Sequence, residues 1–332
     1  MNMTTTNARR DLDVVTFGEA MMMFVATQAG ELHQVEQFVR RAAGAELNVA
    51  IGLARLGLKS GWVSRLGNDS FGRFILATLE KERVDCQTVA IDDAYPTGFQ
   101  LKSRAENGTD PIVEYFRKGS AASRLSLADF DESYFSAARH LHLSGVAAAL
   151  SPSSYALSAH AAQWMRSRGK TVSFDPNLRP VLWRSPQEMV AQLNKLAFAA
   201  DVVLPGLKEG RILTGLTTPQ DIADFYLTGG VKAVVIKTGE EGAYYQTAEG
   251  EKGVVPALRV NNVVDTVGAG DGFAVGVVSA LLEGMTISQA VARGNFIGAR
   301  AIQVIGDSEG LPTRAALNAE MSQAADVVPA SA

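Results

Sequence analysis

Short apolar strands alternate with amphipathic helices along most of this chain, and that alternation limits the possible folds more than any other feature. Aliphatic and β-branched runs that end at Gly, Pro or Asn recur as DVVTFG, SGWVSRLG, HLHLSG, TVSFDPN, DVVLPG and AVVIKTG. Between them, segments such as AELNVAIGLARLGL and PSSYALSAHAAQWMRSRG have apolar residues at helical spacing. Alternating strands and helices form βαβ units. The sequence therefore predicts an α/β fold with a mostly parallel sheet covered by helices on both faces.

Two regions interrupt this alternation. Residues 20–40 and 94–120 have the polar-apolar alternation of strands, with an NGTD turn in the second region and no helical pattern in either. We predict that they form a small antiparallel sheet, a lid that closes over a ligand. The chain would then be a single α/β domain, residues 1–332, with the lid as a subdomain. The exposed edge of the lid offers a contact for a homo-oligomer.

Composition and charge exclude several classes of function. The net charge of −4 provides no basic surface for nucleic acid. No run approaches the ~20 apolar residues of a membrane span, and no apolar core follows the N-terminal arginines as in a secretory signal. The single cysteine, Cys86, fits a reducing compartment. We therefore expect a cytoplasmic protein without nucleic-acid or membrane partners.

The segment VVDTVGAGDGFAVGVVSALLEG joins an apolar run to an apolar helix through several glycines. Glycines at such a junction bring backbone N–H groups close to an anion above the helix N-terminus. Asp271 lies in the predicted first turn, where the helix dipole favours the ionised carboxylate, so we expect a lowered pKa. Amides that face a phosphoryl group, beside a carboxylate that accepts a hydroxyl proton, are typical of a kinase. A simple helix N-cap is the alternative interpretation of GxGD alone.

The longer string DTVGAGDGFAVG resembles the C-terminal signature of the ribokinase-like (PfkB) carbohydrate kinases, D-T-x-G-A-G-D. The segment AGAELNVAIGLARLG resembles the sugar-side segment of that family, and VVIKTGEEGAYY its nucleotide-side loop, so the similarity spans about residues 12–315. The resemblance implies a Rossmann-like sheet with a β lid, a requirement for ATP and Mg²⁺, and phosphorylation of a sugar hydroxyl.

The resemblance also implies roles for individual residues. Asp271 would be the catalytic base, and the backbone of Gly268, Ala269 and Gly270 would form the anion hole. The residues implied on the nucleotide side are those three together with Asn177, Arg179, Lys237, Thr238, Gly239, Gly242 and Asn295.

Two acidic residues are candidates for binding metal ions. Glu209 matches the acid of the family's N-x-x-E pattern, although Gly206 replaces the Asn, so the water network around Mg²⁺ is expected to differ. Asp265 would hold a monovalent cation such as K⁺, as its counterpart does in some members of the family. Capping of a turn explains Asp265 equally well.

The lid segment VEYFRKGSAASRLS resembles the Y-x-R-K-G-S-A-x-S string of 2-keto-3-deoxygluconate kinases, which phosphorylate O6 of a keto-deoxy sugar acid. Arg117 offers a planar fork of donors that suits a carboxylate, although a solvated lid arginine is the alternative. Met23 stands where many sugar kinases have an acid, so we expect this site to have lost a negative charge. The residues implied on the substrate side are Gly44, Asn48, Tyr115, Arg117, Arg179, Asp271 and Asp307.

Three functions are compatible with these patterns. The leading hypothesis is an ATP-dependent kinase that transfers the γ-phosphoryl group to O6 of 2-keto-3-deoxygluconate. The second is a kinase of another sugar, such as fructose, ribose or a different ketose or deoxy sugar acid. The third is a non-catalytic sensor that binds sugar or nucleotide, which the intact Asp271 and anion hole argue against because a binder needs no base.

Overall fold

The strands fall into three sheets that differ in size and in the direction of pairing. The computed structural model describes residues 11–104, 111–260 and 263–327; the predicted NGTD turn lies outside them. In chain order the strands are β1 (Leu12–Phe17), β2 (Met21–Ala26), β3 (Phe38–Ala43), β4 (Ser60–Val63), β5 (Arg65–Gly67), β6 (Ala90–Asp92), β7 (Phe99–Lys102), β8 (Val113–Phe116), β9 (Ala138–Ser144), β10 (Thr171–Asp175), β11 (Val202–Val203), β12 (Ala233–Lys237), β13 (Ala243–Thr247) and β14 (Lys252–Val255).

The largest sheet has the order β14-β13-β12-β11-β10-β9-β1-β4. All pairs from β12 to β4 are parallel, and β13 and β14 add an antiparallel edge. The predicted parallel sheet is confirmed. SGWVSRLG, however, is not one strand, since β4 belongs to this sheet and β5 pairs with β6. β1 lies between β4 and β9, so the order of the strands reverses at β1. At such a reversal a crevice opens at the carboxyl ends of the strands.

The helices begin at residues that satisfy their free backbone N–H groups. Ser151, Ser185 and Thr218 cap three helices, each followed by proline at the first helical position. In chain order the helices are α1 (Ala45–Arg55), α2 (Ser70–Lys81), α3 (Glu132–Ala137), α4 (Gly145–Ala149), α5 (Pro152–Ser167), α6 (Pro186–Phe198), α7 (Leu207–Thr214), α8 (Pro219–Thr228), α9 (Ala269–Leu282), α10 (Ile287–Ala301) and α11 (Arg314–Val327).

Two apolar cores cover the two faces of the large sheet, as predicted. Helices α3, α5, α6, α7 and α8 pack on one face. Helices α1, α9, α10 and α11 pack on the other. Helix α9 is buried from Gly272 to Ala280, so its N-terminus is held rigidly at the crevice. Among the described residues, no helix combines the length and the apolar character needed to cross a membrane. The cytoplasmic location stays a prediction.

The two regions predicted as a lid do pair as one sheet, with the order β3-β2-β7-β8. The pairs β2–β3 and β7–β8 are antiparallel, as predicted, but the central pair β2–β7, which joins the two regions of the chain, is parallel. Side chains alternate between the two faces. Phe24, Phe99 and Phe116 form an aromatic cluster with Phe71 of α2 on one face. The opposite face presents Gln100 and Tyr115 to the crevice.

Candidate active site

A cavity of about 510 Å³ lies between the lid sheet and the carboxyl edge of the large sheet. It contains most of the predicted site residues, although they are spread over the whole sequence. The predicted residues that line it are Gly44, Asn48, Tyr115, Arg117, Asn177, Arg179, Glu209, Lys237, Gly268, Gly270, Asp271 and Asp307. The loops after β1, β9 and β10 also contribute to its wall, as expected where the chain connections diverge.

The floor of the cavity is the N-terminus of α9. Gly268 is the N-cap of the helix, and Ala269, Gly270 and Asp271 form its first turn. Gly268 has φ of +86°, and a Cβ atom there would lie 2.4 Å from the backbone oxygen of Asp307. Only glycine fits this position without moving the backbone. The predicted cradle of backbone N–H groups is therefore present, and the first turn of α9 can bind an anion.

Asp271 is half-buried in the cavity wall, and Asn48 Nδ2 donates a hydrogen bond of 2.7 Å to its Oδ2. Burial, with further contributions from the nearby carboxylates of Asp175 and Asp307, raises the pKa of Asp271 to about 7. The expected lowering of this pKa was wrong, because loss of solvent and the other acids outweigh the helix dipole. At neutral pH the carboxyl group of Asp271 is therefore only partly ionised.

Lys237 and Asp175 form an ion pair beside the first turn of α9. Their Nζ and Oδ2 atoms are 2.9 Å apart. A Cβ atom on Gly270 would lie 3.7 Å from that Nζ, so the ammonium faces the same space as the N–H groups of α9. The carboxylates of Asp175 and Glu209 raise the pKa of Lys237 although burial alone would lower it. Sequence reasoning missed Asp175, whose signal is its position at the end of the strand TVSFD, at the carboxyl edge.

Glu209 lines the cavity, and both of its carboxylate oxygens accept backbone hydrogen bonds. Leu178 N donates to Oε1 at 2.8 Å and Gly206 N to Oε2 at 2.7 Å. Glu209 thus closes the N-terminus of α7 and orients the loop after β10, where Asn177 has φ of +39°. Each oxygen keeps one lone pair for a water or an ion.

The predicted nucleotide loop lies at the end of β12. Thr238 Oγ1 donates to Gly242 O at 2.9 Å, and Gly242 packs directly on the backbone of residues 255–257. Asn295 Nδ2 donates to the backbone oxygens of Val255 and Pro256, so its amide supports the loop after β14. The predicted residues that do not line the cavity are Ala269, Thr238, Gly239, Gly242, Asp265 and Asn295.

The sugar side contains an acid, Glu19, that the sequence analysis did not single out. Met23 is buried in a small apolar cluster with Val25 and Ala43, so it is not part of the cavity. Glu19 lines the cavity, is 2% exposed, and lies with its Oε2 2.5 Å from Nη2 of Arg117. The turn after β1 therefore places one carboxylate, that of Glu19, on the sugar side of the cavity.

Gly44 allows the turn after β1, which contains Glu19, to approach the N-terminus of α1. It has φ of +150°, and a Cβ atom would lie 2.3 Å from the backbone oxygen of Glu19. Across the cavity, Tyr115 is 48% exposed on β8 and lies under the Arg117 guanidinium, whose carbon is 5.8 Å from the centre of the ring. Nε of Arg117 is buried and has no hydrogen-bond partner within the described part of the chain.

Glu46, in the first turn of α1, is a second acid that the sequence analysis missed. It is fully buried, and Ala147 N donates to its Oε1 at 3.0 Å. Burial, with a contribution from Asp271, raises the pKa of Glu46 to about 8. Burial therefore favours the neutral form of the Glu46 carboxyl group.

Asp265 and Asp307 share a partner on the lid. Lys102 Nζ is 2.6 Å from Oδ2 of Asp265 and 2.9 Å from Oδ1 of Asp307. Asp307 lines the cavity, whereas Asp265 lies behind it. Of the two carboxylate oxygens of Asp307, only Oδ1 contacts Lys102, at 2.9 Å. Among the residues described, no group of three or more His, Cys, Asp or Glu side chains has the arrangement of a metal site.

Comparison with known proteins identifies similar chains over nearly the whole length. A family profile described as pfkB family carbohydrate kinase matches residues 11–314. The 2-dehydro-3-deoxygluconokinase of Bacillus subtilis (strain 168) is 51% identical over 312 residues, covering 94% of this chain and 96% of that enzyme. The crystal structure of a PfkB protein from Polaromonas sp. JS666 has a TM-score of 0.86 and 54% identity, covering 93% of this chain and 99% of that one.

A candidate Ribokinase II from E. coli, solved in complex with ATP and Mg²⁺, has a TM-score of 0.85 and 26% identity, covering 94% of this chain and 99% of that one. These similarities include both the large sheet and the lid, since each spans more than nine-tenths of the chain.

Proposed function

The chain belongs to the pfkB family of carbohydrate kinases, and we propose that it transfers the γ-phosphoryl group of ATP to O6 of 2-keto-3-deoxygluconate. The observation on which this proposal rests is the juxtaposition of Asp271 with the N–H groups of Gly268 to Gly270 on the floor of a cavity. The 51% identity to a 2-dehydro-3-deoxygluconokinase supports the substrate. A base beside an anion site is the arrangement that phosphoryl transfer to a hydroxyl requires.

In the proposed reaction the sugar O6 attacks the γ-phosphorus, the bond from phosphorus to the bridging oxygen of ADP breaks, and the hydroxyl proton goes to Asp271. Charge that develops on the phosphoryl oxygens is stabilised by the N–H groups of Gly268, Ala269 and Gly270 and by the Lys237 ammonium. These donors are held before the reaction by the buried helix α9 and by the ion pair with Asp175. Preorganised donors of this kind provide most of the rate enhancement.

The nucleotide is proposed to extend from Lys237 past Thr238, Gly239 and Gly242 towards Asn295, which supports the loop there. Mg²⁺ usually retains several waters and binds one or two carboxylates together with phosphate oxygens. The cavity fits this preference, because Glu209 and Asp175 face it with carboxylate lone pairs still free. When bound, Mg²⁺ would neutralise phosphate charge. Asn177 and Arg179, after β10, are proposed to lie between nucleotide and sugar.

The acid end of the sugar is proposed to bind at the lid. Arg117 is held by Glu19 and lies over the ring of Tyr115, and both Arg117 and Tyr115 line the cavity. Gly44, Asn48 and Asp307 would contact sugar hydroxyls from the opposite wall. The positive charge of Arg179 partly offsets the burial that raises the pKa of Asp271 and of Asp307, so its charge reaches the reacting end.

The pH dependence of kcat/KM follows from the raised pKa of Asp271. The base works only when ionised, so kcat/KM is expected to fall about tenfold per pH unit below about 7 and to level off above it. Removing the Asn48 amide, whose hydrogen bond stabilises the ionised form, should move this acid limb to higher pH. The measurement is the pH profile of kcat/KM for the wild type and for Asn48→Leu. A wild-type acid limb with its inflection near pH 4 would contradict the raised pKa of Asp271.

The variant Arg117→Met tests whether Arg117 binds the carboxylate of the substrate. A hydrogen bond to a charged group contributes about 1.5–3 kcal/mol, so KM for 2-keto-3-deoxygluconate is expected to rise roughly 10- to 150-fold. KM for a neutral sugar should change little. The double variant Glu19→Gln with Arg117→Met is the matched control, because the single variant leaves the Glu19 carboxylate unpaired. If repulsion by Glu19 caused the effect, the double variant would recover binding; if Arg117 contacts the acid, it would not.

The proposal as a whole is tested by ATP turnover with 2-keto-3-deoxygluconate, its galactonate epimer, fructose, ribose and gluconate. A large advantage in kcat/KM for the keto-deoxy acids is the expected result. A higher kcat/KM for a neutral sugar would support the assignment as a kinase but contradict the assignment of an acidic substrate. Binding of sugar or nucleotide without turnover would support the sensor instead.

A further inference from the structure

Lys102 is a fully buried lysine that connects the lid to the loops behind the anion hole. Its side chain is 1% exposed, and its ammonium contacts the carboxylates of Asp265 and Asp307 at 2.6 and 2.9 Å. It lies on β7, two residues after Gln100 and therefore on the face of the lid sheet that points to the cavity. No catalytic step in the proposed function uses it.

Both acidic residues, one through its carboxylate and the other through its backbone, contact the start of the anion hole. Val267 N donates to Oδ1 of Asp265 at 3.1 Å, and Gly306 N donates to its Oδ2 at 3.3 Å. The backbone oxygen of Asp307 packs against Gly268 so closely that a Cβ atom there would be 2.4 Å away. Asp265 therefore orients the residue before the anion hole, and Asp307 covers the N-cap from behind. A cation between them acts on Gly268 through both residues.

The resemblance to the PfkB kinases implied a monovalent cation at Asp265, and the residues present do not fit one. Oδ2 of Asp265 already contacts the Lys102 ammonium, which would repel a second cation at the same oxygen. The ammonium remains charged: burial alone would lower the pKa of Lys102, but the carboxylates of Asp307 and Asp265 raise it. A buried lysine with two carboxylate partners satisfies the requirement that buried charges be paired.

We propose that Lys102 is a positioning residue whose ammonium permanently takes the place of a monovalent cation behind the anion hole. This inference rests on the proposed function, since a phosphoryl-transfer enzyme is what needs the anion hole held in place. It has two consequences: turnover does not depend on K⁺, and the lid and the anion hole are linked by one side chain. An ion pair that only stabilises the fold is the competing explanation.

Turnover in different salts separates the two explanations. Wild-type kcat/KM is expected to be the same in potassium and in tetramethylammonium chloride at equal ionic strength, since tetramethylammonium is too large for the site. Lys102→Met should lose turnover in tetramethylammonium and recover at least about fivefold with K⁺ or NH₄⁺, the lower end of typical coupling between sites. Lys252→Met, at an exposed position on β14, is the matched control and should behave as the wild type.

A second measurement needs no turnover. Without sugar or nucleotide, K⁺ should raise the thermal midpoint of Lys102→Met relative to tetramethylammonium, because an ion that binds only the folded state stabilises it. The midpoint of the wild type should not respond. A Lys102→Met variant that is destabilised but insensitive to K⁺ in both measurements would overturn the proposal.

A wild type that itself requires K⁺ would also overturn it, and that test holds even if the variant does not fold. Failure of the proposed function is distinguishable, since it would abolish wild-type turnover in every salt while leaving the thermal measurement intact.

Discussion

Asp271→Asn is expected to lower kcat for sugar phosphorylation by about 10²- to 10⁴-fold, the contribution typical of a positioned general base. Asparagine has nearly the same size and still meets Asn48, so the cavity should keep its shape. The amide cannot accept the hydroxyl proton, however, and the loss should fall on kcat and not on the affinity for the sugar. Steady-state turnover, with calorimetric titration of the sugar into the variant, separates the two quantities.

The matched control is Asp131→Asn. Asp131 also precedes the N–H groups of a helix, accepting hydrogen bonds from Ser133 N and Tyr134 N at the start of α3, but it lies outside the cavity. Because asparagine is as good an N-cap as aspartate, this variant should keep wild-type turnover. If Asp271→Asn retained kcat within about tenfold of the wild type, the assignment of Asp271 as the base would be wrong.

Gly268→Ala is expected to reduce kcat by about 10²- to 10³-fold, comparable to the loss of one donor from an oxyanion hole. The methyl group would lie 2.4 Å from the backbone oxygen of Asp307, and φ of +86° disfavours alanine. The backbone must therefore move, and with it the N–H groups that face the transferred phosphoryl group. Turnover at saturating sugar and ATP measures this loss.

Gly284→Ala separates loss of the anion hole from ordinary backbone strain. Gly284 follows the other end of α9 with φ of +75°, but a Cβ atom there would meet nothing within 4 Å. It should lower the free energy of unfolding by about 1–3 kcal/mol and leave kcat unchanged. Equal behaviour of the two variants, with a loss of stability and full turnover, would argue against the role of Gly268.

Local patterns were enough to predict the architecture. The parallel sheet follows from runs of buried aliphatic residues separated by amphipathic segments, since no other arrangement covers both faces of such strands. The polar-apolar alternation in residues 20–40 and 94–120 predicted the lid, and the parallel direction of β2 and β7 within it was the part that alternation cannot specify. The glycines before α9 predicted that a helix begins there, because backbone geometry at a helix N-terminus is a local property.

Local patterns did not predict the pKa values of the acidic residues or which charged side chains form ion pairs. Burial raises the pKa of Asp271, and the carboxylates of Asp175 and Asp307, which are distant in sequence, raise it further. Glu19 reaches Arg117 across 98 positions of sequence, and Lys102 reaches Asp265 and Asp307 from the lid. Each of these contacts depends on how the large sheet and the lid pack together. The spacing of apolar residues along the chain does not determine that packing.

By itself, the sequence determined the alternation of strands and helices, the anion-binding turn before α9 and the place of Asp271 in that turn, because these depend on residues close together in the chain. Only the tertiary structure decided the ionisation of Asp271, the pairing of Arg117 with Glu19 and the burial of Lys102 between two carboxylates. The physical reason is that charge interactions depend on distance and on the exclusion of water, and both are set only when remote segments meet.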